Sequence, residues 1–146
     1  MFLSKRELYF AYGSNMSSKR LLDRIPSVKT IGVACLDHYV WCCNKLGSDA
    51  TGKANLMAED GALVHGVLFS MQSKQWCKLD RIETGYRRIE VEVEHEGETK
   101  KAFTYQSDLI TRQAPSELYI SFIIDGLIEH QMPMEYVSEI RSEAGI

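Results

Sequence analysis

Residues 89–94 read Ile-Glu-Val-Glu-Val-Glu, an alternation of period two that only a strand with one buried and one wet face satisfies. Glu96-Gly97 follows as a turn, and Lys101 to Tyr105 returns as the hairpin partner. The glutamates of this segment face solvent, with Lys100 and Lys101 across the hairpin to balance them. A two-stranded hairpin is not stable alone, so its dry face demands more sheet. The chain supplies candidates. Glu7 to Tyr12 (ELYFAY) and Ala62 to Met71 (ALVHGVLFSM) are apolar and aromatic enough for buried strands. Val28 to Lys45 predicts two strands, broken at the polar pair Asp37-His38, and Gly47 to Lys53 predicts a loop.

Between and after these strands the spacing turns helical. Ser17 or Ser18 can cap a short helix, SKRLLDRI, that must stop near Pro26. Ser73 can cap KQWCKLDRIE, in which Trp76, Leu79 and Ile82 share a face. Pro115 suits a first helical turn. It opens SELYISFIIDGLIEH, which Gly126 is expected to interrupt, and another helix begins near Pro133. Leu118, Phe122, Ile123 and Leu127 form the stripe expected to cover the sheet. The expected fold is α+β: a small, mainly β barrel-like or curved sheet with helices packed outside. With no repeat or linker, residues 1–146 form one domain.

A net charge of -3 gives no reason to expect nucleic acid, whose phosphates select basic surfaces, or an anionic membrane. No apolar run approaches the roughly 18 to 20 residues of a membrane span. The start, Met1-Phe2-Leu3-Ser4-Lys5-Arg6, lacks the order of a leader, so the cytoplasm is the expected compartment. There Cys35, Cys42, Cys43 and Cys77 stay reduced. His38, Cys42 and His65 match no zinc spacing, and neither metal nor cofactor is expected. His65, inside an apolar strand, reads as a core or pocket residue, and His95 and His130 have no clear partner in sequence.

Two places break the local rules, and such breaks mark candidate sites. In Tyr12-Gly13-Ser14-Asn15-Met16 a buried strand runs straight into a helix start. Backbone N–H groups there lack intrahelical partners and can meet an anion, and Gly13 allows close approach. The plainer reading is an ordinary strand-to-helix turn. The second place is Leu79-Asp80-Arg81-Ile82-Glu83-Thr84-Gly85-Tyr86. Glu83 lies beside core-facing Ile82 at a helix end, where the dipole and burial raise a carboxyl pKa and suit it to proton transfer. On spacing alone, an exposed Glu83 paired with Arg87 or Arg88 carries more weight, and Asp80 reads as a helix-surface residue.

Together the two places resemble the γ-glutamylcyclotransferase-like superfamily. Its marks are Tyr12-Gly13-Ser14-Asn15 at the end of the first strand and Leu79-Asp80-x-x-Glu83 with Tyr86 after it. Ala54-Asn55-Leu56, Val64 to Phe69, Pro115 to Tyr119 and Leu127 to Tyr136 extend the likeness through most of the chain. The resemblance implies release of 5-oxoproline and a free amine from a small γ-glutamyl amide. It implies Glu83 as catalytic acid/base, with Tyr12, Gly13, Ser14, Asn15, Tyr86 and Tyr119 around the substrate. Thr84 after the glutamate and the short loop to Tyr86 depart from many members. Two other readings stay open on the same fold: a γ-glutamyl deprotecting enzyme of a biosynthetic pathway, and a non-catalytic small-molecule-binding domain. The leaving amine and the oligomeric state are left undetermined by sequence.

Overall fold

The computed structural model describes residues 5–146; Met1–Ser4, part of the segment judged unlike a leader, lie outside the described residues. Five strands close into a barrel in the order β1-β3-β2-β4-β5. They are β1 (Arg6–Ala11), β2 (Lys29–Leu46), β3 (Gly52–Gln72), β4 (Arg87–His95) and β5 (Glu98–Gln106). Every neighbouring pair is antiparallel except β1 with β5, where Tyr9 lies beside Phe103 in a parallel bridge. Four helices pack outside: α1 (Ser18–Arg24), α2 (Trp76–Ile82), α3 (Glu117–Glu129) and α4 (Met134–Ala144). This is the α+β barrel expected from the sequence.

The Ile89 alternation behaves as its chemistry requires. Val91 and Val93 are buried, Glu90, Glu92 and Glu94 are exposed, and Glu92 stands opposite Lys101. The hydrophobic core holds Phe10, Leu56, Leu68 and Phe69, all fully buried, and since Leu68 and Phe69 are consecutive on β3 both faces of that strand are covered.

Several expectations are corrected. Val28 to Lys45 is one strand of 18 residues, not two, because the Asp37-His38 break is a β-bulge. His38 takes a left-handed φ of 68° there, and its Nδ1 accepts from the Gly61 N–H (3.3 Å). Further register shifts lie between Thr30 and Gly32 and between Cys42 and Lys45, and such bends let long strands wrap around a barrel. The predicted Gly47–Lys53 loop ends early, since β3 starts at Gly52. Ser73 caps no helix: it opens a 3-10 turn ahead of α2, and its buried hydroxyl lacks a hydrogen-bond partner among the described residues. Pro115 precedes α3, whose cap is Ser116, accepting from the Tyr119 N–H (3.1 Å). For α1 the cap is Ser17.

The α3 stripe also shifts. Leu118 is 68% exposed, whereas Ile120, Ile123, Ile124 and Leu127 are buried at the i, i+3, i+4, i+7 spacing of one helix face. Phe122 instead lies under the Arg20 guanidinium, 4.3 Å from ring centroid to Cζ. Gly126 does not interrupt the helix. A Cβ there would come within 2.7 Å of Met16 Cβ and 2.8 Å of Ser17 N, so the missing side chain lets α3 press directly on the Ser14–Met16 turn. Helix and site loop are thereby fixed to each other.

Candidate active site

The strand β1 delivers its chain into Tyr12-Gly13 and then a 3-10 turn, Ser14–Met16, before α1 begins. The N–H groups of Gly13, Ser14 and Asn15 precede the first bond of that turn, Met16 N–H to Gly13 carbonyl (3.0 Å). The loop is anchored from outside the turn: Trp41 Nε1 donates to the Tyr12 carbonyl (3.0 Å), and the Tyr12 hydroxyl donates to the Tyr105 carbonyl. A niche of about 30 Å³ opens under it, lined by Tyr12, Gly13, Ser14, Asn15, Glu83, Tyr86 and Tyr119, with Tyr9, Ala54 and Tyr105. All seven site residues expected from the sequence meet there. Tyr9 and Tyr105 were not expected; they are strand aromatics, indistinguishable in sequence from core.

Glu83 is the C-cap of α2, and its side chain is 18% exposed. Asn15 Nδ2 donates to Glu83 Oε1 (2.7 Å) and also reaches the Tyr9 hydroxyl oxygen (3.0 Å). Asn15 Oδ1 accepts from Arg24 Nη1 (3.1 Å), and that guanidinium lies 3.8 Å from Glu83 Oε1. One carboxylate oxygen is thus held, while Oε2 has no hydrogen-bond partner among the described residues and is not sealed from the cavity. Burial raises the Glu83 pKa; Arg24, the Asn15 hydrogen bond, Arg20 and Lys45 pull the other way. The surface pairing that the spacing favoured is not found. Arg87 pairs with Asp108, and Arg88 pairs with Asp80 (3.6 Å). Asp80 also accepts from the Tyr105 hydroxyl (2.6 Å), so it braces the niche wall and does not touch Glu83.

Two tyrosines grip the backbone of one residue of β3, Ala54, from both sides. The Ala54 N–H donates to the Tyr119 hydroxyl (2.9 Å), and the Ala54 carbonyl accepts from the Tyr86 hydroxyl (2.6 Å). Tyr119 therefore accepts from the backbone while keeping its own proton to donate into the cavity. Desolvation raises the pKa of both phenols, so they stay neutral proton donors at ordinary pH. Gly13 sits against the same residue: a Cβ on it would lie 3.1 Å from Ala54 Cβ. Gly85, at φ +85°, supplies the turn that carries the chain from Glu83 to Tyr86.

The niche opens into a cleft of about 480 Å³ that shares Ser14, Glu83, Tyr86 and Tyr119 with it. Arg20, Arg24, Lys45 and Lys53 also line this cleft. Sequence reading missed these four. Arg20 and Arg24 do stand one helical turn apart on α1, a signal available in sequence. Lys45 is 5% exposed, a burial that lysine tolerates only with partners. It donates to the Thr84 carbonyl (2.6 Å) and lies over the Tyr86 ring.

Other polar groups form no second centre of this kind. Cys35 Sγ lies 3.5 Å from His65 Nδ1 on another face, with burial raising the thiol's pKa and lowering the imidazole's. His95 and His130 have ring nitrogens within 2.8 Å of the Val33 carbonyl and 2.9 Å of the Met16 carbonyl, respectively. The four cysteines are unpaired. Among the described residues no three His, Cys, Asp or Glu side chains converge in a metal-binding group, and no helix is long and apolar enough to cross a membrane.

A barrel whose first strand ends in a Tyr-Gly-Ser-Asn loop facing a partly buried glutamate has known relatives. The sequence pattern of the AIG2-like family matches residues 63–140. The chain is 32% identical over 145 residues to the γ-glutamylcyclotransferase of Bos taurus, covering 92% of this chain and 77% of that protein. It is 33% identical over 148 residues to the Homo sapiens γ-glutamylcyclotransferase, at the same coverage. A solved γ-glutamyl cyclotransferase structure superposes with a TM-score of 0.87 at 28% identity, covering 94% of this chain and 87% of that one. The chain belongs to the AIG2-like family and is a γ-glutamylcyclotransferase-like enzyme.

Proposed function

We propose that the protein cleaves a small γ-glutamyl amide by intramolecular cyclisation, releasing 5-oxoproline and a free amine. The observation that carries this reading is the asymmetric tethering of Glu83: Asn15 holds Oε1, and Oε2 is left open to a cavity lined by the Gly13-Ser14-Asn15 loop. A γ-glutamyl group brings its own nucleophile, so a proton carrier and a mould for the folded substrate suffice.

Glu83 takes a proton from the substrate's α-ammonium. The freed amine attacks the γ-carbonyl carbon and closes a five-membered lactam. The ring nitrogen gives up its second proton as the tetrahedral intermediate collapses and the bond to the leaving nitrogen breaks, so two protons reach that nitrogen through Glu83 and the amine departs as an ammonium. Water enters nowhere in this sequence. The loop N–H groups meet the anionic oxygens of the glutamyl group, where fixed donors count most because they need no reorganisation. Tyr119, with its proton unclaimed by Ala54, lies on the same cavity wall. The niche is too small for the whole substrate, so the leaving amine extends into the larger cleft. Four reduced thiols fit a reducing compartment, and we place the enzyme in the cytoplasm.

The test is 5-oxoproline release, followed by mass spectrometry, from a panel of γ-glutamyl amino acids and γ-glutamylamines, with Glu83→Gln as control. Release by the wild type that falls at least about a hundredfold in Glu83→Gln supports the reading. Saturable ligand binding with no product would instead establish a binding domain on this fold.

A further inference from the structure

The cleft outside the niche is charged in a way that the cyclisation itself does not require. Among the described residues lining it are four cations, Arg20, Arg24, Lys45 and Lys53, and one acid, Glu83. Two of the cations have carboxylate partners: Arg24 faces Glu83 at 3.8 Å, and Lys53 pairs with Asp49 at 3.3 Å. Arg20 and Lys45 have no carboxylate within 4.0 Å among the described residues. Both are nevertheless held in place. Arg20 donates from Nε to Ser14 Oγ (3.2 Å) and stacks on Phe122, which leaves the outer guanidinium nitrogens free. Lys45 spends one N–H on the Thr84 carbonyl (2.6 Å) and rests over Tyr86, 4.7 Å from the ring centroid. Burial lowers the pKa of each, the neighbouring cations Arg24 and Lys53 add to that for Arg20 and Lys45 respectively, and the pull of Glu83 offsets it only in part, so an anion arriving between them meets charge that is under-compensated.

Two fixed, partly desolvated cations beside the leaving-group path select for anionic groups. In a γ-glutamyl substrate the α-ammonium and α-carboxylate cancel, so the charge that meets these cations is that of the departing amine. Resting on the proposed cyclisation, we infer that the amine released is an amino acid with a second carboxylate, and that the preferred substrate is a γ-glutamyl dipeptide ending in Glu or Asp. One carboxylate of the departing residue meets Arg20 and the other meets Lys45. The bond that breaks is the γ-amide, the bond that forms is the lactam, and two protons pass from the α-ammonium to the departing nitrogen. A neutral amine would leave both cations unmatched, and a cationic amine would add a third like charge. Selectivity and proton transfer then reside on different residues.

The experiment compares kcat/KM for γ-Glu-Glu, γ-Glu-Gln and a γ-glutamyl alkylamine. The first two differ by one charge at nearly constant shape. The expected result is a preference for γ-Glu-Glu over γ-Glu-Gln of about tenfold or more, the scale of one charge-assisted hydrogen bond. That ratio falls toward one in Arg20→Gln and in Lys45→Met, and it shrinks in about 0.5 M salt, which screens exposed charge. Arg20 is only half-buried, so Arg20→Gln reports even if Lys45→Met does not fold. Equal or better turnover of γ-Glu-Gln overturns the inference and leaves the cyclisation standing. Failure of every γ-glutamyl compound to yield 5-oxoproline overturns the cyclisation itself.

Discussion

The side-chain amide of Asn15 reaches Glu83 Oε1 at 2.7 Å, joining the loop after the first strand to the cap of a helix 68 residues later. That bond fixes the carboxylate's direction and favours its charged form against the burial that raises its pKa. Asn15→Ala removes the tether without adding charge. The expected result is a drop in kcat of about tenfold or more with the fold retained, since misplacing a proton carrier costs rate before stability. A kcat within twofold of wild type would remove Asn15 from this positioning role.

The raised Glu83 pKa sets the pH profile. The proposed cyclisation needs the base form of Glu83, so kcat/KM is expected to rise with pH through an ionisation above the ordinary glutamate value of about 4.3. Arg24 is the largest of the influences that lower this pKa, so Arg24→Gln moves the acid limb to higher pH. A limb that stays in place in Arg24→Gln would assign the ionisation to another group.

The same shift has a stability counterpart of defined sign. A carboxyl with a folded pKa above its unfolded one contributes stability that is full below the unfolded value and is lost as pH rises through the folded value. Glu83→Gln removes that loss. Its Tm is therefore expected to exceed the wild-type Tm at about pH 8, with the gap closing near pH 4. Parallel melting curves across that range would count against burial as the source of the shift.

Gly126 gives a purely steric prediction. Alanine there brings a methyl group into Met16 and the backbone of Ser17, both within 3.0 Å, so helix or loop must move. Gly126→Ala is expected to destabilise by about 1–3 kcal/mol, the range for overpacked sites. It should also raise KM, because the displaced loop lines the proposed substrate niche. Chemical denaturation and steady-state kinetics on one preparation check both.

Tyr86→Phe deletes the hydroxyl that satisfies the Ala54 carbonyl. An unpaired buried acceptor costs about 1–3 kcal/mol. The expected outcome is a lower Tm together with weaker substrate binding, since the turn from Glu83 to Tyr86 loses its anchor.

The barrel and the chemistry-bearing residues were legible in sequence for different reasons. The Ile89 to Val93 alternation and the capping serine Ser17 act locally, so neighbours in sequence decide them. The seven niche residues were legible through motif resemblance, because spacing alone favoured a surface Glu83. What sequence did not give was set at long range. His38 reads as a strand breaker, yet pairing with β3 absorbs it as a bulge. Gly126 reads as a helix breaker, yet close packing on Met16 explains it. Lys45 reads as a strand-end charge, and only the Thr84 carbonyl and the Tyr86 ring show why it is buried.

The double grip on Ala54 bears on how the protein ages under heat. Tyr119 comes from α3 and Tyr86 from the turn before β4, so a wall of the niche depends on a helix that lies outside the barrel. Loosening of α3 undocks Tyr119 while every rung of the sheet stays intact. Any loosening of α3 is therefore expected to cost activity before the sheet melts, and an occupant of the niche that bonds to Tyr119 is expected to oppose it by holding the helix down.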